Sequence, residues 1–213
     1  MAMVTSNRSN TTLILNLIAY KSKYSIKFAG KTIETTVTDE ASIVDEWVRE
    51  MLSICGGKAV AVGLGVHEWR PHPICWMSNK SATLQLCIDQ KCLIIQLFYL
   101  DYIPQSIKSF LMNSNFTFVG IRVAEDIAKL QNGYGLGCRK SEDIRELVKR
   151  KWPVRFKRPR LKELALKVVG LYLRKPKHMC MWEARQLTSS QVEYACTDAY
   201  ASYRIGHKLL HEI

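Results

Sequence analysis

The sequence predicts one α/β domain built on a mixed sheet, and three observations carry that prediction. Strand-like apolar runs crowd the first half of the 213 residues, whereas helical periodicity governs the second. The strands arrive partly as hairpins and partly separated by helices, an order that suits a mixed sheet rather than a doubly wound one. A chain of this length, 47% hydrophobic, also buries a substantial core as a single unit.

The elements follow in order. The apolar patch from Leu13 to Ala19 lacks a basic flank and a small-residue cleavage site, so residues 1–23 read as an N-terminal arm or strand, not a signal peptide. "YSIKFAGKTIETTVT", residues 24–38, alternates apolar and polar positions on either side of Ala29-Gly30-Lys31, a hairpin pattern. Thr38 and Asp39 offer N-caps to a helix over 41–53, where Ile43, Val44, Trp47, Val48 and Met51 recur at helical spacing and Gly56-Gly57 stops the run. A buried strand over 59–66 comes next, then the broken segment "RPHPICWMSNKS". "TLQLCIDQKCLIIQL", residues 83–97, is a second hairpin around Asp89-Gln90-Lys91. Pro104 opens a helix to about Met112, "FTFVGI" is a short strand, and a helix over 123–131 ends in "NGYGLG". Helices over 141–151, over 160–169 and from Ser190 onward complete the domain. Thr188 or Ser189 caps the last of these, with Glu193 in its first turn.

Composition narrows the class. No apolar run approaches the roughly 18 residues of a membrane span, so an intracellular protein, of nucleus or cytoplasm, is expected. The seven cysteines include no C-x-x-C pair and read as reduced core residues. Net charge is +12, and between Arg145 and Lys177 thirteen Lys or Arg face only Glu146 and Glu163. Within that stretch "KRKWPVRFKRPRLK" gathers Lys149, Arg150, Lys151, Arg155, Lys157, Arg158 and Arg160 around Trp152 and Phe156. Such clusters hold phosphate backbones by releasing counterions, and the aromatics can stack on bases. A solvated basic loop or a membrane-surface patch has the same composition. Single-stranded RNA or DNA is the partner this footprint favours, with no membrane.

Three carboxylate segments stand where the elements would bring them together. Glu68 sits at the tip of a central strand in "AVAVGLGVHEWRP", and Asp126 lies early in a helix in "FVGIRVAEDIAKL". In "YACTDAYASYRIG", Tyr194 and Asp198 are four residues apart on a helix and share a face. Together they would make an acidic pocket beside a basic surface, as metal-assisted phosphodiester hydrolysis requires. Each also has a plainer reading: Asp126 as an anion in the first turn of a helix, Asp198 as a surface residue near Arg204 or Lys208, Tyr194 as core.

"FVGIRVAEDIAKL" and "YACTDAYASYRIG" resemble the second and third motifs of the Werner-type DEDDy 3′–5′ exonucleases. The hairpin segments and "LKELALKVVGLYLRKPK" are similar to plant Werner-like members, including the RISC-interacting clearing exoribonucleases. The likeness spans about residues 24–210, and the expected exonuclease-like domain is 24–213. It implies an RNase H-like (DnaQ-like) fold with a mixed five-stranded sheet flanked by helices, and a homo-oligomer such as a hexameric ring. It implies two divalent ions, Mg²⁺ or Mn²⁺, held by Glu68, Asp126 and Asp198, with Tyr194 orienting the attacking water. Gln85 receives no role.

The first motif departs from the family, which places an aspartate and a glutamate two apart on the central strand, where both side chains share a face. Aligned from the left, Gly65 and His67 take those two positions; aligned from the right, Glu68 is kept and Val66 stands for the aspartate. A one-residue bulge would turn Glu68 inward. Two readings follow: a metal-dependent 3′–5′ exonuclease acting on single-stranded or frayed 3′ ends, or a catalytically impaired pseudo-exonuclease that binds nucleic acid or serves as a scaffold.

Overall fold

The computed structural model describes residues 13–18, 21–69, 80–157, 159–174 and 180–212. Arg158, Cys75 and most of the "RPHPICWMSNKS" segment lie outside them.

Eight strands make one mixed sheet: β1 (Leu13–Ile18), β2 (Lys21–Phe28), β3 (Lys31–Thr38), β4 (Val60–Glu68), β5 (Ser81–Ile88), β6 (Lys91–Gln96), β7 (Phe116–Gly120) and β8 (Ser141–Asp143). Their spatial order is β1-β2-β3-β6-β5-β4-β7-β8. The last five of these form the core expected from the resemblance, and the first three widen the sheet along one edge. β3–β6, β4–β7 and β7–β8 run parallel and the other pairs antiparallel. β1, within the segment expected to be an arm, is hydrogen-bonded to β2 throughout its length.

Alternation along the strands separates two cores. Val62 and Leu64 of β4 and Leu84, Leu86 and Ile88 of β5 pack with α1 (Ala41–Cys55), α2 (Gln105–Leu111) and α3 (Val123–Tyr134). Ala61 and Cys87, one position out of phase, pack with α4 (Ile144–Lys151), α5 (Leu161–Val169) and α6 (Ser189–His207) on the opposite face. Every residue of β5 is buried, because helices cover both sides of it. α6 continues into a π-helical turn, Lys208–Glu212.

Several element ends differ from the expectation. Residues 141–143 are not helical: they pair with β7, and the Asp143 carboxylate accepts from the Arg145 backbone N–H at 2.8 Å, so α4 begins after it. The start of α1 is satisfied from a distance, the Ala41 N–H donating to Asp101 Oδ1 at 2.8 Å, while Thr38 accepts from Glu40. Of the two caps expected for α6, Thr188 is the one used, with Gln191 closing a reciprocal capping box, and Glu193 falls beyond the first turn.

Candidate functional site

The last residues of β4 lie where the sheet changes from antiparallel pairing, with β5, to parallel pairing, with β7. Such a switch point leaves a crevice at the strand ends. A cavity of about 180 Å³ lies there, walled by Gly65 and His67 of β4, Gln85 of β5, Asp126 of α3, Asp198 of α6 and Leu161 of α5.

Close packing of α6 on β4 brings Asp198 to the cavity. A Cβ on Gly63 would overlap the Ala199 carbonyl oxygen and stand 2.7 Å from the Tyr203 nitrogen, so only glycine lets the helix lie this near the strand. One turn before Asp198, Tyr194 shares its face as the spacing predicts, and the two side chains are hydrogen-bonded. Burial, the Asp198 charge and that hydrogen bond together hold the Tyr194 phenol well above its ordinary range.

Arg122 places Asp126. It adopts a left-handed conformation at φ 60°, its N–H bonded to Asp143 Oδ2 at 2.8 Å, and α3 starts from it. Asp126 falls in the first helical turn, where the macrodipole favours an anion. Burial nevertheless wins. It lifts the carboxyl to about 7, with the Lys129 ammonium pulling down and Glu68 and Glu125 adding to the rise.

The structure resolves the two alignments of the first motif. A register shift does occur between His67 and Glu68, but the extra residue is Ala82 of β5, since His67 pairs with Thr83 and Glu68 with Ser81. β4 therefore keeps its alternation to the end. Gly65 and His67 face α6, and Glu68 faces α3, where the Lys129 ammonium donates to its carboxylate.

His67 stacks on Trp182 at 3.7 Å between ring centroids, nearly parallel, with the Tyr194 ring 5.7 Å away. Gln191 secures Trp182 by donating to the carbonyls of Cys180 and Met181. Burial pushes the imidazole down to about 3, so it is neutral, and its Nε2 is buried without a hydrogen-bond partner among the described residues.

Gln85 is the residue that sequence reasoning passed over. It pairs directly with Gly65 across the β4–β5 ladder and is 1% exposed. A Cβ on Gly65 would lie 2.9 Å from Gln85 Oε1, so the amide fills the space where a side chain from β4 would begin. Gln85 Nε2 donates to Thr83 Oγ1 at 2.5 Å, which fixes its direction.

The expected two-ion centre is not assembled from these residues. Among the described residues no three His, Cys, Asp or Glu side chains are grouped to hold an ion. Asp126 and Asp198 are the carboxylates that reach the cavity, and Gln85 contributes only a neutral oxygen.

The basic stretch ends at the cavity wall. Lys149, Arg150 and Lys151 close α4, Arg155 and Lys157 lie in the connection, and Arg160 is the N-cap of α5, directly before Leu161. Arg150 is paired with Glu142 at 2.7 Å. The aromatics expected to stack on bases are engaged within the chain: Arg155 sits 5.5 Å from the ring centroids of both Trp152 and Phe156. No helix among the described residues is long and apolar enough to cross a membrane.

Residues 24–213 match the family described as 3′–5′ exonuclease. A 3′–5′ exonuclease of Arabidopsis thaliana is 29% identical over 99% of this chain and 74% of its own length. The mouse bifunctional 3′–5′ exonuclease/ATP-dependent helicase WRN is 26% identical over 86% of this chain, which spans only 13% of that protein. Among solved structures, Escherichia coli RNase D superposes with a TM-score of 0.70 at 19% identity, over 83% of this chain and 44% of the other.

Proposed function

The chain belongs to the 3′–5′ exonuclease family, whose members are hydrolases, and from that premise we propose that it removes nucleotides from the 3′ end of a single strand. The observation that carries this reading is the meeting of Asp126, Asp198 and the Tyr194–Asp198 hydrogen bond at a cavity to which the basic segment leads. Lys and Arg of residues 149–160 hold the backbone, and the strand end enters past Leu161. Tyr194, its hydroxyl fixed by Asp198, orients the attacking water against the terminal phosphodiester. Cleavage there releases a nucleoside monophosphate. The strand is RNA or DNA, because phosphate-holding Lys and Arg do not sense the 2′-hydroxyl. Placement beside the plant Werner-like members and the clearing exoribonucleases, with assembly into a homo-oligomer, extends this proposal and rests on the sequence resemblance alone.

Gln85 beside Gly65 favours a second reading, in which the strand end is bound and not cut, because a neutral amide stands in the cavity wall. Turnover on 5′-labelled single-stranded RNA and DNA, with Mg²⁺ and then Mn²⁺, decides between them. A ladder of shortened products that Asp198→Ala abolishes supports the exonuclease. Equal inertness of both proteins, with strand binding intact, leaves the binding module.

A further inference from the structure

We infer that Gln85 is the residue that sets the cation affinity of this site, and that a carboxylate in its place would make the cavity a firm divalent-cation site. The inference rests on the exonuclease reading only in taking this cavity as the functional one. Four oxygen-bearing side chains, Gln85 of β5, Asp126 of α3 and Asp198 and Ser202 of α6, wall the same space. Hard cations are held by oxygen ligands, and carboxylates hold them far more strongly than an amide because they bring charge. Two of them are uncharged, and of these Gln85, on the central strands, has the shape of a carboxylate.

Its position is determined on both sides. Gly65, its cross-strand partner, has no side chain to compete with it, and Oε1 lies 2.9 Å from where a Cβ would stand. The Thr83 hydroxyl, 2.5 Å from Nε2, holds the other end of the amide. A hydroxyl both donates and accepts, so Thr83 can turn to donate to a carboxylate at the same place. Gln85→Glu therefore adds charge to the cavity without adding volume. A second route reaches the same end from β4: Gly65→Asp combined with Gln85→Ser empties the amide's space and fills it with a carboxylate. The neighbouring His67 offers no charge of its own, since its imidazole is neutral and packed on Trp182.

The test is Mn²⁺ binding to the whole chain, read by electron paramagnetic resonance at pH 8 without nucleic acid, with circular dichroism confirming that each variant is folded. Gln85→Glu, and separately the Gly65→Asp/Gln85→Ser pair, are expected to bind Mn²⁺ at least tenfold more tightly than the unmodified chain. Adding Asp198→Ala to Gln85→Glu is expected to remove the gain. If the folded variants bind no more tightly, or if the gain survives loss of Asp198, Gln85 does not govern this site and the inference falls. Cleavage is scored separately: an unmodified chain that never cuts, beside a Gln85→Glu chain that gains Mn²⁺, overturns the exonuclease proposal and leaves this one standing.

Discussion

At Asp126 two local effects oppose each other, and their sizes decide the outcome. A first-turn carboxylate gains about 0.3–1 kcal/mol from the helix dipole. Burial lifts this carboxyl from its ordinary value of 3.8 to about 7, a cost of up to roughly 4 kcal/mol to ionise it in the folded chain. The folded state therefore holds a proton that the unfolded state has already lost between these values. Stability from this group is fully present below pH 3.8, declines as pH rises to about 7, and is flat above. Asp126→Asn abolishes the titration. Urea unfolding is expected to show the variant gaining on the unmodified chain by a few kcal/mol between pH 4 and 7, with a constant gap beyond. A gap that does not change with pH would show that Asp126 is solvated. The sequence exposes Asp126, Tyr194 and Asp198 because charge and helical spacing are visible in a string of letters. Gln85 is hidden there, being neutral and twenty residues from Gly65; only the hairpin register makes them neighbours.

At the scale of elements, the site depends on how closely α6 lies on β4. Gly63 meets backbone atoms of Ala199 and Tyr203, which cannot move without shifting the helix, whereas a Cβ on Gly206 would meet the side chain of Val119. Overpacking of this kind costs about 1–3 kcal/mol. Gly63→Ala is thus expected to lower Tm by several degrees and to weaken strand binding, since Tyr194 and Asp198 ride on the displaced helix. Gly206→Ala is expected to cost less, because its clash falls on one valine side chain and not on the helix backbone. Equal melting temperatures for Gly63→Ala and the unmodified chain would contradict the contact. The elements themselves were largely readable from period and punctuation, and the misreadings share a cause. Residues 141–143 have helical composition but lie beside β7, and the N–H of Ala41 finds its acceptor 60 residues away on Asp101. The bulge foreseen in β4 falls in β5 at Ala82, because alternation along β4 persists and the partner strand absorbs the mismatch. Tertiary pairing decided each case, and no local window contains it.

Over the whole molecule, charge is concentrated in the segment that supplies Leu161 to the cavity wall. Thirteen of the chain's 31 Lys and Arg fall between Arg145 and Lys177, and Leu161 in that stretch is itself part of the cavity wall. Some of these cations are already committed. Arg150 faces Glu142, Lys167 faces Glu163, and Arg155 lies over Trp152 and Phe156. Lys151, Lys157 and Arg160 make no ion pair among the described residues, and Arg160 directly precedes Leu161 of the cavity wall. These three are the ones expected to meet phosphates. Each phosphate contact on a single strand contributes about 0.7 to the slope of log affinity against log salt, so removing three lowers the slope by roughly 2. Fluorescence anisotropy on a labelled single strand, with Lys151→Gln, Lys157→Gln and Arg160→Gln combined, measures that slope between low and physiological salt. Arg155→Gln serves as the comparison, expected to change the slope by less because its guanidinium is held by the two rings. An unchanged slope in the triple variant would move the strand's path to another face and separate the cavity from its basic approach.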